Sequence, residues 1–550
     1  KAAAPVHEFS KEAEDIIRKA EEKLGSDIPE EQKRFFAIKL LEKDDKIAEQ
    51  MKQKADVSAE IKEMEDAFDD DTESIITNER YVYISSIIGE CITKNGKKAL
   101  STSDKIDRIV TNRWLALPIF AVVMWVVYYV SVTTVGSILT DWTNDTLFGE
   151  WIIPAAQNFF ENIGCADWLT GLIVDGIISG VGAVLGFVPQ MLVLFIFLAF
   201  LESCGYMARV AFILDRAFRK FGLSGRAFMP MIMGFGCSVP AMINTRTLAD
   251  ENERTATIRV IPFFSCGAKL PILTAVAGAI VYQFGVGNAD IITYSMYLLG
   301  MVVAIVSILL MRNTTMKGAV PPFIMELPAY HTPRFKNLMI HLWDKTKHFV
   351  KKAFTIILAS TILIWFLSHF SWSWGFLPDE RMDESILASI GQLIQPLFTP
   401  LGFGSQLGRW GWVFAVAAII GLIAKENVIA AFGTLGACIT AGFIGDEEGI
   451  LSVTEMIKAT GVTIPALIAF IAFNMTTIPC FVAVATAKAE LPSKKKFNWT
   501  LVFWLVTSYI VAMMIYLIGS WWWTAFIFAV IIAAVIAYIV LMNKKEAKRA

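Results

Sequence analysis

Three cysteines stand beside residues that interrupt helices. Cys237 lies in Pro230-Met-Ile-Met-Gly-Phe-Gly-Cys-Ser-Val-Pro240, Cys266 in Pro262-Phe-Phe-Ser-Cys-Gly-Ala-Lys-Leu-Pro271, and Cys480 in Asn474-Met-Thr-Thr-Ile-Pro-Cys480. Glycine and proline free backbone carbonyls from the helical ladder, and a freed carbonyl can replace part of an ion's water shell. A lone membrane cysteine also serves as a small packing residue; three at kinks make a ligand role an equal alternative. Thiolate and thioether groups bind Fe(II), but such a site would hold Cu or Zn more tightly, so sulfur alone does not select. A site that must also release its ion is better served by one or two cysteines with oxygen ligands.

The natural oxygen donors are Glu202, in Leu201-Glu-Ser-Cys-Gly205, and Glu426, in Ala424-Lys-Glu-Asn427. Each falls toward the inner end of an apolar stretch, where a carboxylate is costly and tends to mark a pathway. The competing reading is structural: Glu202 paired with Arg209, and Glu426 beside Lys425. Met229, Met231, Met233 and Met242 can guide a soft ion but equally fill gaps in a core. Other chemistries find little support. Of the five histidines, His331, His341 and His348 fall in a basic connector. Asp69, Asp70 and Asp71 lack the spacing of a calcium loop. Gly222-Leu-Ser-Gly225 matches a short serine-protease motif, but no histidine is expected within its reach. There is no H-E-x-x-H motif and no phosphate-cradling G-x-x-x-x-G-K-[ST] loop. No enzyme activity is expected of this chain, and no nucleic-acid partner.

The elements that must carry these residues are membrane spans. The chain is 55% hydrophobic and 18% charged, a balance that a lipid solvent permits and a water-soluble domain rarely shows. Residues 1–113 carry dense mixed charge with apolar residues at helical spacing (Ile61, Met64, Phe68), which predicts a small cytoplasmic helical domain. Apolar stretches long enough to cross then run over 115–135, 187–206, 268–284, 291–311, 353–370, 410–431, 499–518 and 521–542, giving about eight spans. Two more, 228–245 and 464–485, are interrupted and read as re-entrant hairpins. That reading keeps the basic connector 313–352 and the C-terminal Lys544, Lys545, Lys548 and Arg549 cytoplasmic. It leaves outside a loop whose charges are acidic (Asp141, Asp145, Glu150, Glu161, Asp167, Asp175). The stretch with Asp446, Glu447, Glu448 and Glu455 fits this topology poorly.

The two halves, 114–312 and 353–550, present the same order of elements. Leu115 and Ala353 fall 238 positions apart, and Pro240 and Pro479 fall 239 apart. The fold class expected is therefore all-α: a polytopic helical membrane protein whose halves form a parallel internal repeat, preceded by a small helical domain.

With these pieces in hand, the chain resembles the ferrous iron transport protein B (FeoB) family. The resemblance rests on Phe200-Leu-Glu-Ser-Cys-Gly-Tyr-Met-Ala-Arg209, Gly234-Phe-Gly-Cys-Ser-Val-Pro-Ala241 with Thr245-Arg-Thr-Leu248, and Ser265-Cys-Gly-Ala-Lys-Leu-Pro271. Met325-Glu-Leu-Pro328, Ala424-Lys-Glu426 and Ile478-Pro-Cys480 add to it. It implies Fe2+ uptake across a prokaryotic plasma membrane, with both termini cytoplasmic. It makes 228–245 and 464–485 gate segments, Cys237, Cys266 and Cys480 gate cysteines, and Glu202 and Glu426 matches to acidic positions. It also implies an attached GTPase domain, using GTP and Mg2+, that is missing from this chain, with 1–113 the helical domain that links it to the membrane. Partners implied are the lipid bilayer, that GTPase domain, a small cytoplasmic accessory protein and further copies of the chain. Two other classes stay open on the residues themselves: a carrier of a polar organic solute such as a nucleoside, and a receptor or scaffold through which nothing passes.

Overall fold

The computed structural model describes residues 9–25, 28–44, 47, 56–68, 71–91, 102–112, 114–248, 250–314, 329–423, 425, 427–437 and 449–547. Glu426, Asp69, Asp70, the acidic 446–448 stretch, the 325–328 motif and the C-terminal Lys548 and Arg549 lie outside the described residues. The chain separates into two compact units, Lys1–Ser101 and Thr102–Ala550.

The first unit is a water-soluble helical domain by its own pattern. Ala13, Ile16, Ile17 and Ala20 are the buried residues of the Lys11–Glu22 helix, the spacing of one apolar stripe. They pack with Leu40 and Leu41 of Glu30–Leu41, Met64 of Ser58–Phe68, and Ile75 and Ile76 of Thr72–Cys91. Met64 is buried at the centre with Ile61 and Phe68 against it, as their spacing predicts. Ion pairs tie the rim: Arg34 to Glu14, Lys23 to Glu60 and Lys19 to Glu63.

The second unit has the opposite polarity. On the Ala289–Thr314 helix Ile291, Tyr294, Leu298, Val302, Ile305 and Leu309 are exposed, while Gly300, Ala304 and Ser307 belong to its buried face. Lys494–Ser520 buries Thr500, Trp504, Ser508 and Ala512, one per turn, and turns Val502, Leu505, Val506 and Ile510 outward. Apolar side chains outside and small or polar ones at the helix contacts are what a lipid solvent selects. Trp142, Trp151, Trp372, Trp374 and Trp521 to Trp523 are all exposed, as membrane-interface residues should be.

Among the described residues five helical stretches are long and apolar enough to cross a bilayer: Ala116–Ile163, Glu251–Phe284, Ala289–Thr314, Ile464–Glu490 and Lys494–Ser520. A sixth follows if Val188–Ser203 and Tyr206–Asp215, bent by 74° at their junction, form one span. Of the other expected spans, 353–370 and 521–542 overlap the helices Phe335–His369 and Thr524–Ala547, and 410–431 contains the apolar helix Trp412–Ile423. The second broken segment, Ile464–Glu490 with its break included, is long and apolar enough to cross by length and composition. It is mostly buried inside the protein, where irregular backbone at membrane depth is tolerated.

The halves interlock rather than sit side by side. One core joins Ile272, Val276 and Ile280 of the first half to Trp412, Phe414, Phe470 and Met475 of the second. The other joins Met231, Val239, Ile261 and Phe263 of the first half to Val482, Ala483 and Trp504 of the second. Each broken segment therefore packs against elements of the other half.

Candidate ion path at the two broken segments

The first broken segment consists of two short helices, Phe228–Met233 and Ser238–Asn244, separated by a turn at 234–237. Gly234 keeps this turn tight: a Cβ at this position would lie 2.8 Å from the Met231 carbonyl oxygen, 3.2 Å from the Ile261 carbonyl oxygen and 3.3 Å from Phe264 Cβ, so a side chain would force the turn to shift. The Phe235 and Phe264 rings meet edge-on at 5.1 Å. Gly267 N approaches the Gly236 carbonyl at 3.5 Å. The second broken segment runs as Ile464–Thr476, an extended link, and Phe481–Glu490.

The three cysteines share one backbone role that their motifs alone do not reveal. Cys237, Cys266 and Cys480 each hold the extended residue immediately before a helical turn, with φ, ψ of −155°, 132°, of −78°, 164° and of −52°, 152°. All three are half-buried. Among the described residues no group of three or more His, Cys, Asp and Glu side chains is gathered closely enough to hold a metal ion.

A residue that the motif reading passed over ties the 262–269 stretch, which packs on the first broken segment, to the second. Lys269, 2% exposed, donates through Nζ to the Pro262 carbonyl at 2.7 Å and to the Met475 carbonyl at 2.6 Å. Ser265 Oγ lies 3.5 Å from Met475 Sδ. The signal was available, since the residue four after Met475 is Pro479, which has no N–H to give that carbonyl.

Glu202 is exposed at the last turn of the Ser179–Ser203 helix. It lines a small cavity with Leu198, Met207, Met229 and Met233, whereas Met231 and Met242 are buried in the core. Met233 belongs to that core as well, so the cavity and the core share it. The sharp bend beyond Glu202 depends on Gly205, whose φ of +87° is left-handed and easy only for glycine. Arg209 binds Asp107 instead of serving as the expected partner of Glu202: Nε and Nη2 donate to the Asp107 carboxylate at 2.9 and 3.1 Å. Its Nη1 donates to the Gly205 carbonyl at 2.9 Å, and the Tyr330 ring lies 4.0 Å away.

A further cluster closes one end of the junction. Glu490, 4% exposed, accepts from Arg246 Nη2 at 2.6 Å and from Arg254 Nη2 at 2.5 Å. Lys496 pairs with Glu251 at 3.4 Å, and Trp504 Nε1 donates to the Arg259 carbonyl at 2.7 Å. The end of the first broken segment and the end of the second are therefore held on one face.

Broken helices that meet inside an apolar bundle, with irregular backbone shielded by protein, define a class: polytopic helical membrane proteins. Comparison with known proteins narrows it. A family profile described as "Nucleoside recognition" (Gate) matches residues 184–280 and again 350–494. The profile of the FeoB cytosolic helical domain matches 9–93, and that of the ferrous iron transport protein B C terminus matches 293–345. The Fe(2+) transporter FeoB of Staphylococcus aureus strain MSSA476 is 32% identical over 493 residues, covering 89% of this chain and 70% of that protein. The Methanocaldococcus jannaschii Fe(2+) transporter FeoB is 34% identical over 505 residues, covering 88% and 70%. A Porphyromonas gingivalis Fe(2+) transport protein A/Fe(2+) transporter FeoB fusion protein is 32% identical, covering 88% of this chain and 61% of the fusion. No solved structure matches. The chain belongs to the FeoB family.

Proposed function

We propose that this chain carries Fe2+ inward across a prokaryotic plasma membrane along the junction of its two broken segments. The observation that supports this most is the junction itself: two helix breaks from different halves meet, and cysteines begin the helical turns around them. Cys237, Cys266 and Cys480 supply soft ligands in passing, and Glu202 with Met229 and Met233 forms a collecting position beside them. Half-buried thiols not gathered into a closed cage suit an ion that must leave again. Glu426 is proposed as a second acidic position on the resemblance alone. The parallel relation of the halves, with termini inside, is favoured by the matching order of elements and by the basic Lys494, Lys495 and Lys496 next to the Glu490 cluster.

In the intact protein we infer regulation by a GTPase domain, with GTP and Mg2+, acting through the N-terminal helical unit. A small cytoplasmic accessory protein is a natural partner, given a relative named as a fusion with Fe(2+) transport protein A. The test is uptake into sealed proteoliposomes. Fe2+ quenching of an enclosed dye is expected for the wild-type chain and reduced for Cys237→Ser and Cys480→Ser at equal folded yield. Uptake of radiolabelled nucleoside with no Fe2+ entry would favour the organic-solute carrier, and entry of neither would favour a receptor.

A further inference from the structure

Lys269 sits where an ion would be expected. Its amino group is almost fully buried, and its two hydrogen-bond acceptors are neutral carbonyls on opposite sides of the junction: Pro262 in the first half and Met475 in the second. Both carbonyls belong to interrupted backbone. The Met475 carbonyl has lost its helical donor to Pro479, and the chain turns away after the short Ile261–Phe263 helix that contains Pro262. Carbonyls freed in this way are the groups with which membrane proteins replace an ion's hydration shell. An ammonium has three donors and no acceptor, so it binds such carbonyls as a metal cation would. If the only need were to satisfy two carbonyls, a neutral amide could do it without the cost of a buried charge. The long flexible stem also lets the charge leave and return.

We propose that the Lys269 ammonium is a tethered cation seated in the carbonyl site where the two broken segments meet, and that a divalent cation must displace it to pass. The proposal rests on the cation-transport reading and adds to it a residue that decides occupancy. With Lys269 in place the site is full and positively charged, which excludes adventitious cations. Displacement of the side chain presents two carbonyls together with the Cys266 and Cys480 thiols.

The test is ion-dependent thermal stability of the full chain in detergent, using Mn2+ as an air-stable probe and anaerobic Fe2+ alongside it. Lys269→Met removes the tethered charge at similar length, Lys269→Gln leaves a donor without charge, and Lys269→Arg keeps the charge. In the two neutral variants added Mn2+ is expected to raise the melting midpoint at a concentration at least tenfold below that needed for wild type. Lys269→Arg should respond as wild type does. Equal midpoints of response in wild type and both neutral variants would overturn the proposal. So would loss of folded protein in both neutral variants that Mn2+ during purification does not restore, because a carbonyl site vacated by an ammonium must accept a free cation. This comparison decides the Lys269 assignment whether or not the wild-type chain takes up iron, so its failure is distinct from failure of the transport reading.

Discussion

Replacing Arg246 and Arg254 together should cost much more than the two single replacements added. Glu490 is the reason: its side chain is 2% exposed, while Arg246 is 65% and Arg254 27% exposed. Arg246 is largely in water, and with Arg254 still present its loss should cost about 0.5 kcal/mol, the range of exposed ion pairs. Arg254 is more enclosed, and losing its charge-assisted bond should cost about 1.5 kcal/mol while Arg246 still neutralises the carboxylate. Removing both leaves a buried carboxylate without either arginine, a change worth about 3–5 kcal/mol. The double variant should therefore exceed the sum of the singles by about 1–3 kcal/mol. The assay is SDS-titrated unfolding of the full chain followed by tryptophan fluorescence. Adding Glu490→Gln to the double variant should recover at least half of the loss, since it removes the stranded charge. Additivity of the singles within about 0.5 kcal/mol, with no recovery from Glu490→Gln, would refute the reasoning and make the cluster a surface feature.

Three other outcomes are expected. Cysteines introduced at Asn144 and Asn288 of a cysteine-free variant should react with an impermeant thiol reagent from outside, and ones at Asn337 and Asn498 should not; outside labelling at Asn498 would contradict the proposed orientation. Glu202→Gln should lower Fe2+ uptake several-fold with an unchanged melting midpoint, because Arg209 keeps Asp107 as its partner; a large drop in melting would show a structural role for Glu202. In the N-terminal unit the Arg34 hydrogen bond holds the Glu14 carboxyl below its ordinary value. A lowered folded value means that this stabilisation is complete above the unfolded value of about 4.3 and is lost as pH falls through the folded one. Intrinsic-rate-corrected hydrogen exchange of 11–22 should therefore rise on acidification, with Arg34→Ala showing the faster exchange already at neutral pH.

The sequence carried the class of the fold because lipid and water leave opposite stripes. Met64 at the centre of a charged helical unit and Thr500, Trp504, Ser508 and Ala512 inside an apolar helix each follow from that rule. It could not carry the packing of the broken segments. Charge bias reports which side a loop occupies, whereas the contacts that 464–490 makes with the other half are set by the fold. The cysteines were legible as neighbours of Gly and Pro, but their common position before a helical turn needed backbone angles. Arg209 shows the limit of proximity in sequence: Glu202 is seven residues away, and Asp107, much farther along the chain, forms the ion pair. Lys269 was missed because a lysine inside an apolar motif reads as an exception, and its acceptor on Met475 lies 206 residues away.

The central claim is that Fe2+ passes the thiols at the junction, and protection of those thiols tests it most directly. In a variant with Cys91, Cys165, Cys204 and Cys438 replaced by serine, only Cys237, Cys266 and Cys480 remain. Their alkylation rates can be followed by mass spectrometry in sealed vesicles, with and without anaerobic Fe2+, while uptake is recorded on the same preparation. Slower alkylation of at least two of the three during Fe2+ uptake is the predicted result; unchanged rates while Fe2+ enters would put the ion's path elsewhere.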